Sequence, residues 1–125
     1  MELKGKKILV TGGNGFLGKQ VIAKLLEHGA SADDISAPRS SACDLKKWEN
    51  CTRAAEGKDL VIHLAAVVGG IGANREYPGK FFYENAIMGI QLVEAARQAN
   101  VKKMVVVGTI CAYPKFTPVP FKEEE

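Results

Sequence analysis

An α/β fold built on a parallel sheet follows from three features of this 125-residue sequence. Short apolar runs alternate with segments of helical periodicity, in the order βαβαβαβ. A glycine cluster stands directly after the first apolar run. The later runs are almost continuously apolar, as strands covered on both faces are. Such alternation implies right-handed crossovers and helices on both sides of the sheet, the doubly wound, Rossmann-type arrangement.

Each element has its own signal. "KKILVTG" (Lys6 to Gly12) is a short apolar run ending in glycine and reads as a strand. From Gly15 to His28, Leu17, Val21 and Leu25 recur at helical spacing beside Ile22 and Leu26, and Gly29 supplies a stop. "DISAPR" (Asp34 to Arg39) is a weaker second strand, ended by Pro38. Residues Leu45 to Glu56 read as a short helix with Asp44 as its N-cap. "DLVIHLAA" (Asp59 to Ala66) is a third strand, followed by the glycine-rich loop "VVGGIGANREYPGK". Phe81, Asn85, Met88, Leu92, Ala96 and Ala99 then mark one stripe of a long helix. In that helix Phe81, Phe82, Tyr83 and Met88 are expected to serve packing rather than a substrate. "KKMVVVGT" (Lys102 to Thr109) is the fourth strand, again an apolar run, and the Pro-rich, then acidic tail from Lys115 is expected to be irregular.

The composition narrows the function. Length fits one domain, residues 1–125, and 46% apolar with 25% charged residues suits an ordinary globular chain. The net charge of +3 is spread rather than blocked, which speaks against nucleic acid as a partner. Cys43, Cys51 and Cys111 form no Cys-x-x-Cys pair, and "MELKGKKILV" has no apolar core of a signal peptide. Free thiols in a reducing cytoplasm are expected. No apolar run approaches the ~18 residues of a membrane span. His28 and His63 share no ligand spacing with the cysteines, so no metal site is expected.

The glycine cluster "TGGNGFLG" carries chemistry. It contains Gly13-x-Gly15-x-x-Gly18 and also Gly12-x-x-Gly15-x-x-Gly18, set between a predicted strand and a predicted helix. One glycine makes the turn, a second lets a pyrophosphate approach the main chain, and a third lets helix and strand pack closely. The helix start then offers free N–H groups and partial positive charge to the anion. A site for NAD usually has an acidic residue ~20 residues further on to hold the ribose 2′-OH. At that distance from Gly18 stands Arg39, while Asp33 and Asp34 come where the second strand begins. A guanidinium there pairs with a 2′-phosphate, favouring NADP(H) over NAD(H); its plain alternative is a solvated surface arginine. Asp44, with Leu45, either reaches an adenine or only caps its helix. His63, alone at a strand end, is expected to satisfy a local hydrogen bond. The "GGIGAN" loop either approaches a ligand through its glycines or simply connects.

Taken together, "VTGGNGFLG", "HLAA" (His63 to Ala66), Asn85 and "GTICAYP" (Gly108 to Pro114) resemble the extended short-chain dehydrogenase/reductase family, the NAD(P)-dependent epimerases and dehydratases of nucleotide sugars. The resemblance covers essentially the whole chain. "HLAAVVGGIGAN", "FFYEN" and the cysteine of "TICAYPK" are most similar to the GDP-L-fucose synthase subgroup, with the GDP-mannose 3,5-epimerases alike in the same places. The resemblance implies that Gly12, Gly15 and Gly18, with Phe16 and Leu17, line the pyrophosphate and that Arg39 faces the 2′-phosphate. It puts Ala65 and Ala66 beside the ribose and nicotinamide. Thr109 stands where the family has a catalytic Ser or Thr bonded to the sugar oxygen at C4. Cys111 stands where the subgroup has an acid/base cysteine, a thiol able to move a proton alpha to a ketone; read without the resemblance, it is a small buried hydrophobe.

One family device is missing from these residues. In Tyr-x-x-x-Lys the lysine sits one helical turn from the tyrosine and lowers the phenol pKa. Tyr77 is followed at i+4 by Phe81, Tyr83 by Ile87 and Tyr113 by Thr117. Lys80 follows Tyr77 at i+3, but Pro78 and Gly79 argue against a helix between them. The chain therefore reads as a truncated Rossmann-type domain, without the Tyr-x-x-x-Lys segment and the C-terminal substrate region. It is expected to bind the cofactor but not to turn over alone, and to meet a GDP-sugar only with the missing half. A non-catalytic NADP(H)-binding module and an inert fragment are the alternatives. The strand order is expected to be 3-2-1-4, with the fourth strand beside the first and its bare outer edge inviting self-association.

Overall fold

The computed structural model describes residues 1–109, 112–114 and 116–123. Strand β1 is Ile8–Thr11, β2 Ile35–Ser36, β3 Leu60–His63 and β4 Lys103–Val106. Helices α1 (Phe16–Glu27), α2 (Trp48–Ala55), α3 (Ile71–Glu76) and α4 (Pro78–Gln98) lie between them. The four strands pair in parallel, Ile8 opposite both Ile35 and Leu60, and Leu60 opposite Lys103. The α/β, doubly wound character is as the alternation predicts.

The strand order is not. The sheet runs β2-β1-β3-β4, so β3 rather than β4 flanks β1. The expectation of 3-2-1-4 took each apolar run as the next strand of a regular sheet. In the common dinucleotide-binding order, the third strand lies beyond the second. Here no described strand takes that place, and the chain after β2 turns at Arg39, whose carbonyl accepts from the N–H groups of Ala42 and Cys43. The run at Leu60 is then free to cross to the other side of β1. Its composition suits the interior: Leu60, Val61 and His63 are buried, and Ile62 is half-buried. β4 is an edge strand and, contrary to its apolar reading, is mostly exposed.

Alternation along the strands divides the core in two. Ile8, Val10 and Leu60 pack with Leu25 of α1 and with Ala30 on one face. Leu9 and Val61 pack on the other with Cys51 and Ala55 of α2 and with Met88, Leu92, Ala95 and Ala96 of α4. Val105 and Val107 of the β4 segment remain 39% and 54% exposed.

Helix ends follow local chemistry. Gly29 takes a left-handed φ of +92°, and the N–H groups of Ala30 and Gly29 close on the carbonyls of Leu25 and Leu26, a Schellman stop. Asn100, at φ +57°, repeats the device after α4, with Val101 N–H on Ala96 and Asn100 N–H on Arg97. The "VVGGIGANREYPGK" segment, read as a loop, contains α3. Pro78 and Gly79 open α4 instead of excluding a helix, because proline at the first helical position gives up only an N–H that lacks a helical partner anyway. Asp44 does not cap α2. The helix begins later, after Lys47, and the Asp44 carboxylate accepts from the Lys46 N–H at 3.1 Å in a tight turn.

Candidate functional site

Parallel strands bring all their carboxyl ends to one edge of the sheet. There a cleft of about 920 Å³ opens between the ends of β2, β1 and β3, a size suited to a cofactor. Gly12, Gly15, Phe16, Leu17, Gly18, Arg39, Asp44, Leu45, Ala65 and Ala66 all line it. Three loops contribute these residues, and Met88 of α4 closes the floor. Met88 thus both packs the core and faces the cleft, while Phe82 and Tyr83, expected to pack, are exposed.

The glycines have separate roles. Gly12 has φ +69°, and a Cβ there would stand 2.8 Å from the Ala65 nitrogen. It permits the ends of β1 and β3 to touch. A Cβ on Gly18 would collide with the Gly12 carbonyl and with Gly13, so this glycine seats α1 against its own loop. Gly13, not among the expected contacts, is a packing glycine as well: its Cβ would lie 2.7 Å from that of Ala37. Gly15 meets only the Gly12 carbonyl, at 3.2 Å, and is the N-cap of α1 without a side-chain cap. No acidic residue stands in the first turn. The opening N–H groups of α1, which have no acceptor within a helix, therefore face the cleft with the positive end of the helix dipole. This arrangement suits a phosphate or pyrophosphate.

Behind the loop, Thr11 and His63 form a buried pair, 2% and 7% exposed. The Thr11 hydroxyl accepts from the N–H groups of Leu64 and Ala65 at 3.2 and 3.3 Å. Its oxygen lies 2.7 Å from His63 Nδ1. A hydroxyl that accepts from these two N–H groups has its own proton to give to Nδ1, an arrangement that fits a neutral imidazole with its proton on Nε2. Burial holds the His63 pKa below its ordinary value. The local hydrogen bond expected of this histidine is present, and its partner is the residue before the glycine loop.

At the β2 end, Arg39 lies on the surface of the cleft beside Ser40 and Ser41. Its guanidinium has no hydrogen-bond or ion-pair partner among the described residues. The acidic residues near β2 stand at its other end. Asp33 and Asp34 form a 3₁₀ turn before it, and Asp34 binds Lys7 at 2.6 Å. Thus cations and hydroxyls, rather than a carboxylate, follow β2. Cys43, also on the cleft wall, and Cys51 behind it are free and buried, and burial raises both thiol pKa values, that of Cys51 to about 11. They are packing thiols, not thiolates.

At the β3 end, the lining segment runs on past Leu64, whose N–H bonds the Thr11 carbonyl, and from Ala65 to Val68 no described strand pairs with it. Side chains hold it instead. Beyond the two bonds from Thr11, Asn85 of α4 accepts from the Val67 N–H and donates to the Val67 carbonyl, each at 2.8 Å. Asn74 of α3 donates to the carbonyls of Gly69 and Gly70. These clamps escaped the sequence reading, which took Asn85 as part of a helical stripe and as a mark of the family resemblance, without a partner. An asparagine inside an otherwise apolar stripe is the signal that marks it.

Thr109 lies three residues past β4, at the same edge of the sheet but outside the cleft lining, and its carbonyl accepts from the Ala112 N–H. Cys111 lies outside the described residues.

A parallel sheet wound on both faces, with a glycine loop and an uncapped helix start at its carboxyl edge, defines a Rossmann-type protein. The chain belongs to the NAD dependent epimerase/dehydratase family, whose model matches residues 8–125. It is 39% identical to GDP-L-colitose synthase of Yersinia pseudotuberculosis over 87% of this chain and 35% of that protein. It is 36% identical to GDP-L-fucose synthase of Azorhizobium caulinodans over 96% of this chain and 38% of the relative. Among solved structures, GDP-mannoheptose C4 reductase from Campylobacter jejuni with NADP bound superposes with a TM-score of 0.86 at 25% identity, covering 99% of this chain and 39% of that one. The chain thus spans little more than a third of these relatives' length.

Proposed function

We propose that these 125 residues form the NADP(H)-binding portion of a nucleotide-sugar epimerase/reductase acting on a GDP-4-keto-6-deoxy sugar. The observation that carries the reading is the single cleft that joins an uncapped α1 N-terminus to an unpaired Arg39. The N–H groups opening α1 would take the pyrophosphate. Arg39, with Ser40 and Ser41, would pair with the 2′-phosphate, and Asp44 and Leu45 would border the adenine. Ala65 and Ala66 would border the nicotinamide ribose. The cofactor supplies the hydride for reduction at C4 of the sugar.

The sugar chemistry rests on likeness. The relatives named above are synthases and a reductase of GDP-sugars. In that reading Thr109 donates a hydrogen bond to the sugar oxygen at C4, and Cys111 moves the proton at the carbon beside the ketone. Tyr77, Tyr83 and Tyr113 all lack a lysine at i+4. A second reading is a cofactor-binding module without turnover of its own.

Calorimetric titration of the chain with NADPH and then NADH tests the proposal. Tighter binding of NADPH supports it. Equal binding removes the role of Arg39, and binding of neither rejects the cofactor reading. Incubation with NADPH and a GDP-4-keto-6-deoxy sugar is expected to give no turnover. Measurable reduction would overturn the second reading.

A further inference from the structure

We propose that a second pocket, walled off from the cleft by the chain after β2, binds a phosphomonoester with a small apolar body. No described strand pairs with the outer side of β2. Leu9 and Ser36 are partners in the parallel register of β1 and β2 and share the face that α2 covers. Between β2, the chain that follows it and α2 lies a pocket of about 450 Å³, within the range of small-molecule sites. Leu9, Ala37, Pro38 and Ala54 give it apolar walls. Arg53 and Lys58 also line it, and among the described residues no Asp or Glu does. Both cations are held by neutral oxygens: Arg53 donates to Asn50 Oδ1 at 2.7 Å, and Lys58 Nζ to Ser36 Oγ at 2.9 Å. Lys7, Lys24, Lys46 and Arg97, by contrast, each pair with a carboxylate. The neutral bonds fix the two cations, leave their charge uncompensated and leave further N–H donors on each. Two fixed cations beside apolar walls match a dianion on a small apolar body. A phosphomonoester carries close to two negative charges at neutral pH and offers three acceptor oxygens. Arg39 lines the cleft and not this pocket, while Pro38 and Cys43 line both and form the partition. The proposal therefore stands apart from the cofactor reading.

Phenyl phosphate is the probe, added to the chain with and without NADPH while backbone amide chemical shifts are followed. Saturable shifts are expected at Ala37, Ala42, Arg53, Ala54 and Lys58 in both conditions. Lys58→Gln keeps a donor for Ser36 and loses the charge, and Arg53→Gln does the same for Asn50. Each is expected to weaken binding at these residues by about tenfold, as the loss of a charge-assisted hydrogen bond does. Lys58→Arg keeps the charge and is expected to bind as the unsubstituted chain does. Lys4→Gln, which removes an equal charge outside the pocket, is expected to change nothing. Benzyl alcohol, the apolar body without the anion, is expected to leave these amides unshifted. Absence of shifts at these residues would overturn the proposal, as would undiminished binding in both glutamine variants. A loss in Lys58→Arg or Lys4→Gln as large as in Lys58→Gln would remove the role of the paired charges and overturn it too. Shifts confined to Arg39 and the start of α1 would place the anion in the cleft alone, with the same consequence.

Discussion

Arg39 and His63 show how single residues on this cleft divide the work. Arg39 has no hydrogen-bond or ion-pair partner among the described residues, so its removal breaks no such bond there. Arg39→Ala is expected to leave thermal stability unchanged and to weaken NADPH binding by about tenfold or more, the range of a lost charge-assisted hydrogen bond. NADH binding should not change; calorimetry with both cofactors checks this. His63 works through folding. Its pKa is lowered by burial, and the Thr11 hydroxyl, already accepting twice, offers a protonated ring no acceptor. The unfolded chain takes up this proton near pH ~6.5, the folded chain only at lower pH. The resulting stability is complete above that value and is lost as pH falls through the folded pKa. Urea midpoints measured from pH 7 to 5 should fall, and His63→Gln should flatten that part of the profile. The glycine spacing and Arg39 were legible in the sequence because each is a local requirement of turn or charge. The Thr11–His63 bond was not, since it joins residues 52 positions apart.

Among the elements, the helix ends are the most exact match between local chemistry and structure. Gly29 and Asn100 both stop a helix in the left-handed region. Asparagine tolerates that region less well than glycine. Asn100→Gly is therefore expected to raise stability by about 0.5 kcal/mol and Asn100→Ala to lower it by about 1 kcal/mol, read as shifts of the urea midpoint at constant slope. Where elements were misjudged, competing partners explain it. Asp44 has the right chemistry for a cap, yet the nearer Lys46 N–H takes its carboxylate and delays α2. The run around Ile71 was hidden by its glycines, but α3 forms nevertheless, packed beside α4 with Asn74 bonded back to the preceding loop.

For the whole molecule, the decisive feature is the position of β4. It stands at the edge of the sheet beside β3, with Val105, Val106 and Val107 exposed, and no described strand pairs with its outer side. An open apolar edge is a template for another strand. Self-association of this chain through that edge is expected, seen as concentration-dependent dimer in sedimentation. Val105→Lys should return it to monomer, because a charged edge resists pairing. A monomer at every concentration in the unsubstituted chain would show the edge to be protected.

The sequence alone determined the alternation of strands and helices, the glycine turn, the helix stop at Gly29 and the cation after β2. Each depends on residues within a few positions of one another, where φ preference, apolar period and charge act directly. Only the tertiary structure decided which strand lies beside which, that Asn85 grips Val67, and that three separate loops share one cleft. These depend on surfaces that must cover each other and on backbone groups that must find partners across the fold. β3 lies inside, its buried run paired on both sides, and β4 lies at the edge with its valines exposed.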